Sequence, residues 1–199
     1  MQVKRLVLAS KNPGKLRELQ ALLKDSGIDV IGLDPNSPDI EETGSTFEEN
    51  ALLKARAACA DTGLPSLGED SGLAVDALEG EPGIRSARWV PGTDADRVEA
   101  LLRRMSHIPD GQRTARYVSC IALVSPIGQE HIVRGELEGA IGHEPRGTNG
   151  FGYDPIFVLP IGTTTAEIPL VEKNRISHRA NAFKKAMLLL PGLLGGPSV

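Results

Sequence analysis

Aromatic residues are scarce, 4% of the 199-residue chain, so its core has to be built from Leu, Val, Ile and Ala. Cysteine is scarcer still: Cys59 and Cys120 stand far apart, without the spacing of a metal-ligand set. Two buried free thiols in a cytoplasmic protein are the expectation. No Lys-rich or Arg-rich block is present, and the formal net charge is −4. Tight binding to DNA or RNA depends on clustered cations and is disfavoured, whereas a small anion held by a few focused Lys and Arg is not. No apolar run is long enough to span a membrane, and Met1 to Ala9 passes straight into a polar turn without a signal-peptide pattern. What remains is an ordinary globular composition, 40% hydrophobic and 24% charged, in a chain long enough for one sizeable α/β domain or two small lobes.

The pattern begins with a strand over Val3 to Ala9, a turn at Ser10–Lys15, and a helix over Leu16 to Asp25. Leu16, Leu19, Leu22 and Leu23 form that helix's apolar stripe, Gly27 ends it, and Asp29 to Leu33 predicts a second strand. Ser45 and Thr46 each have a Glu three residues on, giving overlapping capping boxes for a helix ending at Gly63. Asp94 to Met105 is helical, with Val98, Leu101, Leu102 and Met105 inward. Two long strands follow, Tyr117 to Val124 and His131 to Ile141, then a Gly-rich loop and a strand over Pro155 to Leu159. Ser177 caps a final helix predicted to stop at Pro191. Strand–helix–strand–helix, a β-rich middle and a closing helix predict a mixed α/β fold, an elongated central sheet flanked by helices. No lobe boundary is legible.

Five polar sets, two of them sharing Asp70, carry chemistry. Gly68 to Asp76 places Glu69, Asp70, Ser71 and Asp76 where a short apolar run meets a Gly-containing turn. Buried carboxylates need a cation, and a divalent metal carrying a polyphosphate would supply one; an acidic surface turn is the plain alternative. Glu41, Glu42 and Asp70 are the candidate metal or base set, with Lys54 able to reach the same anions. Ser10, Lys11, Asn12, Pro13, Gly14 and Lys15 lie between a strand and a helix start, where an anion is favoured, although the Walker A spacing is absent. In Gly147–Asp154, closely spaced glycines allow close backbone approach, and Phe151 and Tyr153 offer faces for stacking on a base. Asp154 either anchors that loop or accepts a base N–H; a hairpin turn with core aromatics is the alternative. Lys173, His178 and Arg179 gather at a helix start, a poor place for cations unless an anion or carbonyl ligand is near.

These motifs together resemble the Ham1 family of pyrophosphatases for deaminated purine nucleoside triphosphates, from Leu8 to about Ala182. The likeness rests on Ser10-x-Asn12-x-x-Lys15, Glu42-Thr43-Gly44-x-Thr46-Phe47-x-x-Asn50-Ala51 and Asp70-Ser71-Gly72-Leu73. It continues through Pro82-Gly83-Ile84-x-Ser86-Ala87-Arg88, Gly150-Phe151-Gly152-Tyr153-Asp154-Pro155 and Ile176-Ser177-His178-Arg179. Trp89 stands beside Arg88 where Tyr is frequent in the family.

The resemblance implies one two-lobed domain with a nucleotide cleft, a homodimer, and Mg²⁺-dependent hydrolysis of ITP, dITP and XTP, Mn²⁺ being the alternative metal. It implies that Ser10 to Lys15 hold the phosphates and that Asp70 binds metal and accepts a proton. Glu42 is the second metal acid, or else Glu41. Ser71 contacts substrate, while Phe151, Gly152, Tyr153, Asp154, Lys173, His178 and Arg179 line the nucleotide pocket. A Maf-like pyrophosphatase and a nucleotide sensor without turnover are the competing classes.

Overall fold

Alternating aliphatic residues near the N-terminus become a mixed six-stranded sheet in the computed structural model, which describes residues 4–195. The strands are β1 (Lys4–Leu8), β2 (Ile28–Gly32), β3 (Ser66–Val75), β4 (Thr114–Val124), β5 (Glu130–Ile141) and β6 (Phe157–Val158), in the order β2-β1-β3-β4-β5-β6. β1 runs parallel to β2 and β3, while β6 is antiparallel to β5. Val3, where the sequence pattern starts the first strand, lies outside the described residues. The helices are α1 (Pro13–Leu22), α2 (Phe47–Thr62), α3 (Asp94–Arg104), α4 (Leu170–Ile176) and α5 (His178–Gly195). The mixed α/β class expected from the sequence is the one observed.

The described chain divides into two compact units. The first comprises residues 4–70, 120–134 and 182–195. Successive strand residues face opposite ways. Leu6, Leu8 and Leu67 therefore pack with Leu19 of α1, Leu23 at its C-cap and Phe183 of α5, while Val7 and Ala9 meet Ala58 of α2. The second unit comprises residues 71–119 and 135–181, and its core joins Leu73, Leu101, Met105, Tyr117, Ile156 and Phe157. Buried Arg113 spends its guanidinium on the carbonyls of Met105, Ile108, Ile141 and Gly142, tying the end of α3 to the end of β5.

Several local expectations change. Residues 66–75 form one continuous strand, so Glu69 and Asp70 sit on a buried strand and not in a turn. The glycines at 68 and 72 signalled a turn, yet the segment runs extended within β3, between β1 and β4 in the sheet. Asp76 leaves the acidic cluster altogether, bonded instead to Thr114 and Arg116. Leu22 is exposed, since α1 ends at that residue and only Leu19 and Leu23 are buried in the core, with Leu16 packed against it. Pro191 does not stop α5, which continues to Gly195 because Leu193 buries into the first unit's core. The strand expected from Pro155 is shortened to β6, a short 3₁₀ turn taking Asp154–Ile156.

Candidate active site

In the first unit, strand alternation places Gly68 and Asp70 toward α2, and Leu67 and Glu69 toward α1. A Cβ at Gly68 would stand 2.1 Å from the Ala51 carbonyl oxygen, so the absence of a side chain lets β3 press directly on α2. That approach brings Asp70 against two α2 side chains one turn apart. Asn50 Nδ2 donates to Asp70 Oδ2 at 3.4 Å, and Lys54 Nζ donates to Asp70 Oδ1 at 3.0 Å. The same ammonium reaches Glu42 Oε1 at 2.8 Å, whereas Glu41 is exposed. Asn50 Oδ1 accepts from Gly44 N–H at 2.8 Å and so fixes the segment that carries Glu42.

Two carboxylates thus share one ammonium. Burial pushes the Asp70 carboxyl up, Lys54 pulls it down, and Glu42 pushes it up again. The donor set suits a divalent cation: Mg²⁺ takes one or two carboxylates and completes its shell with waters and substrate phosphates. Among the described residues no cluster of three or more His, Cys, Asp or Glu forms a protein-only metal cage.

The Ser10–Lys15 turn is shaped by Asn12, whose Oδ1 accepts from the Gly14 and Lys15 amides and caps α1. Two N–H groups at the helix start are therefore already taken, and cationic and polar side chains are left to hold an anion. Lys15 Nζ lies 3.3 Å from buried Glu69 Oε2. Lys11 ties the turn to Ser37 and to Asp39, at 2.8 Å from the latter.

In the second unit the loop 147–154 is organised around Asp154, 1% exposed. Its Oδ2 accepts from Lys173 Nζ at 2.5 Å and from Phe151 N–H at 2.8 Å. Its Oδ1 accepts from Thr165 Oγ1 at 2.8 Å and from the Tyr117 hydroxyl at 3.3 Å. Four donors fill the carboxylate's acceptor sites, so Asp154 anchors the loop and has no capacity left for a base N–H. Gly150, at φ +81°, would put a Cβ 2.0 Å from Asp154 Oδ2, so the turn requires glycine there.

Asp94 at the start of α3 takes the next amide, Gly152 N–H, at 2.7 Å. Tyr153 is buried, with its hydroxyl donating to the Ser86 carbonyl at 3.0 Å. Phe151 is the exposed aromatic, at 66%, and Lys173 Nζ stands 4.9 Å from its ring centre. The loop and α3 enclose a depression of about 480 Å³. Ser177 Oγ accepts from the Ala180 amide and caps α5, which places His178 and Arg179 in its first turn. The His178 ring stacks on Tyr117 at 5.0 Å and 20°. Ser71, half-buried, directly follows Asp70 on β3.

Four participants were not assigned roles from the sequence: Asn50, Asp94, Tyr117 and Thr165. Asn50 lies one helical turn before Lys54, a spacing that signals a shared face. Asp94, Tyr117 and Thr165 are far from the loop in sequence, and no local pattern marks them.

The sequence model of the Ham1 family matches residues 6–188 of this chain. The chain belongs to the Ham1 family. A dITP/XTP pyrophosphatase of Symbiobacterium thermophilum is 62% identical, with 98% of both chains covered. One from Streptomyces avermitilis is 48% identical over 96% of this chain and 99% of its own. Among solved structures, a HAM1 protein from Coxiella burnetii superposes with TM-score 0.89 at 45% identity, covering 95% of this chain and 99% of that one. The Ham1 protein of Staphylococcus aureus superposes with TM-score 0.87 at 40% identity, with 95% and 99% covered. The residues of the Ham1 motifs thus fall into two groups: carboxylates and lysines of the first unit, and the loop, Lys173, His178 and Arg179 of the second.

Proposed function

We propose that this Ham1-family protein is a hydrolase that converts dITP, XTP and ITP to the nucleoside monophosphate and pyrophosphate. The observation that carries the proposal is the Glu42–Lys54–Asp70 arrangement, a buried and a half-buried carboxylate with one shared ammonium, in a chain 62% identical to a dITP/XTP pyrophosphatase. Asp70 and Glu42 would hold Mg²⁺, with Mn²⁺ the alternative, and the bound ion would neutralise charge on the phosphate chain.

Asp70 orients the attacking water and takes up its proton as the water's oxygen bonds to the α-phosphorus. The bond from the α-phosphorus to the bridging oxygen breaks, and pyrophosphate leaves with the electron pair. Lys15, Lys54, Ser10 and Asn12 bind the charged phosphate chain. Phe151 offers its exposed face to the purine.

Selection against adenine follows from donors. Hypoxanthine and xanthine carry a 6-oxo acceptor where adenine carries an amino donor. His178, Arg179 and the remaining N–H groups of Lys173 favour the acceptor; the Phe151 and Gly152 amides, held by Asp154 and Asp94, do not contribute. Donor mismatch in a buried site reaches discrimination of about 10⁴. Action on free nucleotides as a cytoplasmic homodimer is part of the same proposal.

The test is pyrophosphate release with Mg²⁺ from dITP, XTP, ITP, GTP and ATP. Release confined to the first three, with kcat reduced at least about 100-fold in Asp70→Asn by loss of the water-orienting carboxylate, is the expected result. Release of phosphate alone would overturn cleavage at the α-phosphorus. Nucleotide binding without turnover would make the protein a sensor.

A further inference from the structure

Tyr117 stands at the meeting point of the second unit's polar groups, though it lies on a core strand remote in sequence from all of them. Its ring packs on Phe157 at 4.4 Å on one contact and stacks on the His178 imidazole at 5.0 Å and 20° on another. Its hydroxyl donates to Asp154 Oδ1 at 3.3 Å. Tyr117 is 8% exposed, and its ring and hydroxyl are taken up by Phe157, His178 and Asp154. Burial and the neighbouring Asp154 carboxylate push its phenol well above the usual range, which keeps it a neutral donor.

We propose that Tyr117 is a positioning residue for purine selection: its ring sets the plane of His178, and its hydroxyl fixes the carboxylate that holds Lys173 and the Phe151 amide. Asp154 has no freedom to rotate while its four donors are in place. Removing the Tyr117 hydroxyl leaves Oδ1 to Thr165, whose Oγ1, 2.8 Å away with one proton to give, is also 3.1 Å from the Asp154 carbonyl oxygen. The carboxylate then turns, and Lys173 and Phe151 move with it. One side chain thus couples the imidazole at the start of α5 to the ammonium on α4 and to the loop. Thr165 shares the task at the same oxygen.

This inference rests on the proposed function, because it is there that His178 and Lys173 are assigned to the base. The experiment compares wild type with Tyr117→Phe, which keeps the stacked ring and removes only the donor. Steady-state pyrophosphate release from dITP, XTP and dATP supplies kcat and KM for each, and thermal unfolding is followed in parallel. At 3.3 Å the Tyr117–Asp154 bond is a long one, and losing a hydrogen bond of ordinary strength corresponds to roughly a twofold to tenfold effect. The KM for dITP and XTP is expected to rise by about that factor, with kcat within about twofold and the dITP-over-dATP preference falling in proportion.

Thr165→Val should do the same, and Thr165→Ser should restore wild-type behaviour. If Tyr117→Phe and Thr165→Val leave the dITP-over-dATP preference unchanged, or slow both nucleotides equally, Tyr117 is a packing residue and the inference falls. A wild-type enzyme that releases no pyrophosphate from dITP or XTP would instead overturn the proposed function on which it rests.

Discussion

Single residues here act through what surrounds them, and Asp76 shows this away from the candidate active site. Its carboxyl is held below the usual range by the Thr114 hydroxyl and by Arg116, whose Nη1 stands 2.8 Å away. A carboxyl depressed on folding contributes stability above its unfolded pKa and loses it as pH falls through the folded value. Wild type should therefore exceed Asp76→Asn in urea midpoint at about pH 6, with the gap closing below about pH 3. A gap that persists in acid would assign the effect to shape and not to charge. Asp70, paired with Lys54, has the opposite displacement, since burial outweighs the ammonium. Two aspartates six positions apart on and just beyond one strand are thus shifted in opposite directions, one being covered and the other exposed beside its donors.

At the scale of elements, the critical contact is β3 on α2. Gly68 leaves no room for a methyl group against the Ala51 carbonyl oxygen and the Ala55 amide. Gly68→Ala has to part strand from helix, at a cost of about 1–3 kcal/mol by overpacking. The same displacement separates Asp70 from Lys54 and Asn50, so turnover should fall far more than stability, as paired urea-melt and activity measurements will show. A variant with native activity would mean that the strand–helix spacing is not critical. The sequence made most elements legible. Apolar periodicity marked α3, the capping Thr46 and the αL Gly63 marked α2, and the long apolar runs marked β4 and β5. It misjudged residues 66–75, because a glycine that signals a turn in isolation, Gly68, serves close packing of strand on helix. The candidate site was legible where function requires charge in a local motif. It was illegible where charge is held by tertiary neighbours such as Asp94, Tyr117 and Thr165, since those contacts have no local periodicity.

At the scale of the whole molecule, the two cysteines are a built-in probe. Cys59 is 7% exposed and Cys120 fully buried, both in the first unit. Burial raises both thiols, and Glu48 raises Cys120 further. Neither should react with an aromatic disulfide reagent in the native state, and labelling should track opening of the first unit as denaturant is added. Rapid stoichiometric labelling in native buffer would contradict this burial. The second unit contributes a different property through its anchored loop. Asp154 and Asp94 grip the consecutive amides of Phe151 and Gly152 before any ligand arrives. A loop already in register has nothing to fold at the moment of encounter, so its entropy is surrendered during biosynthesis and not on each catalytic cycle.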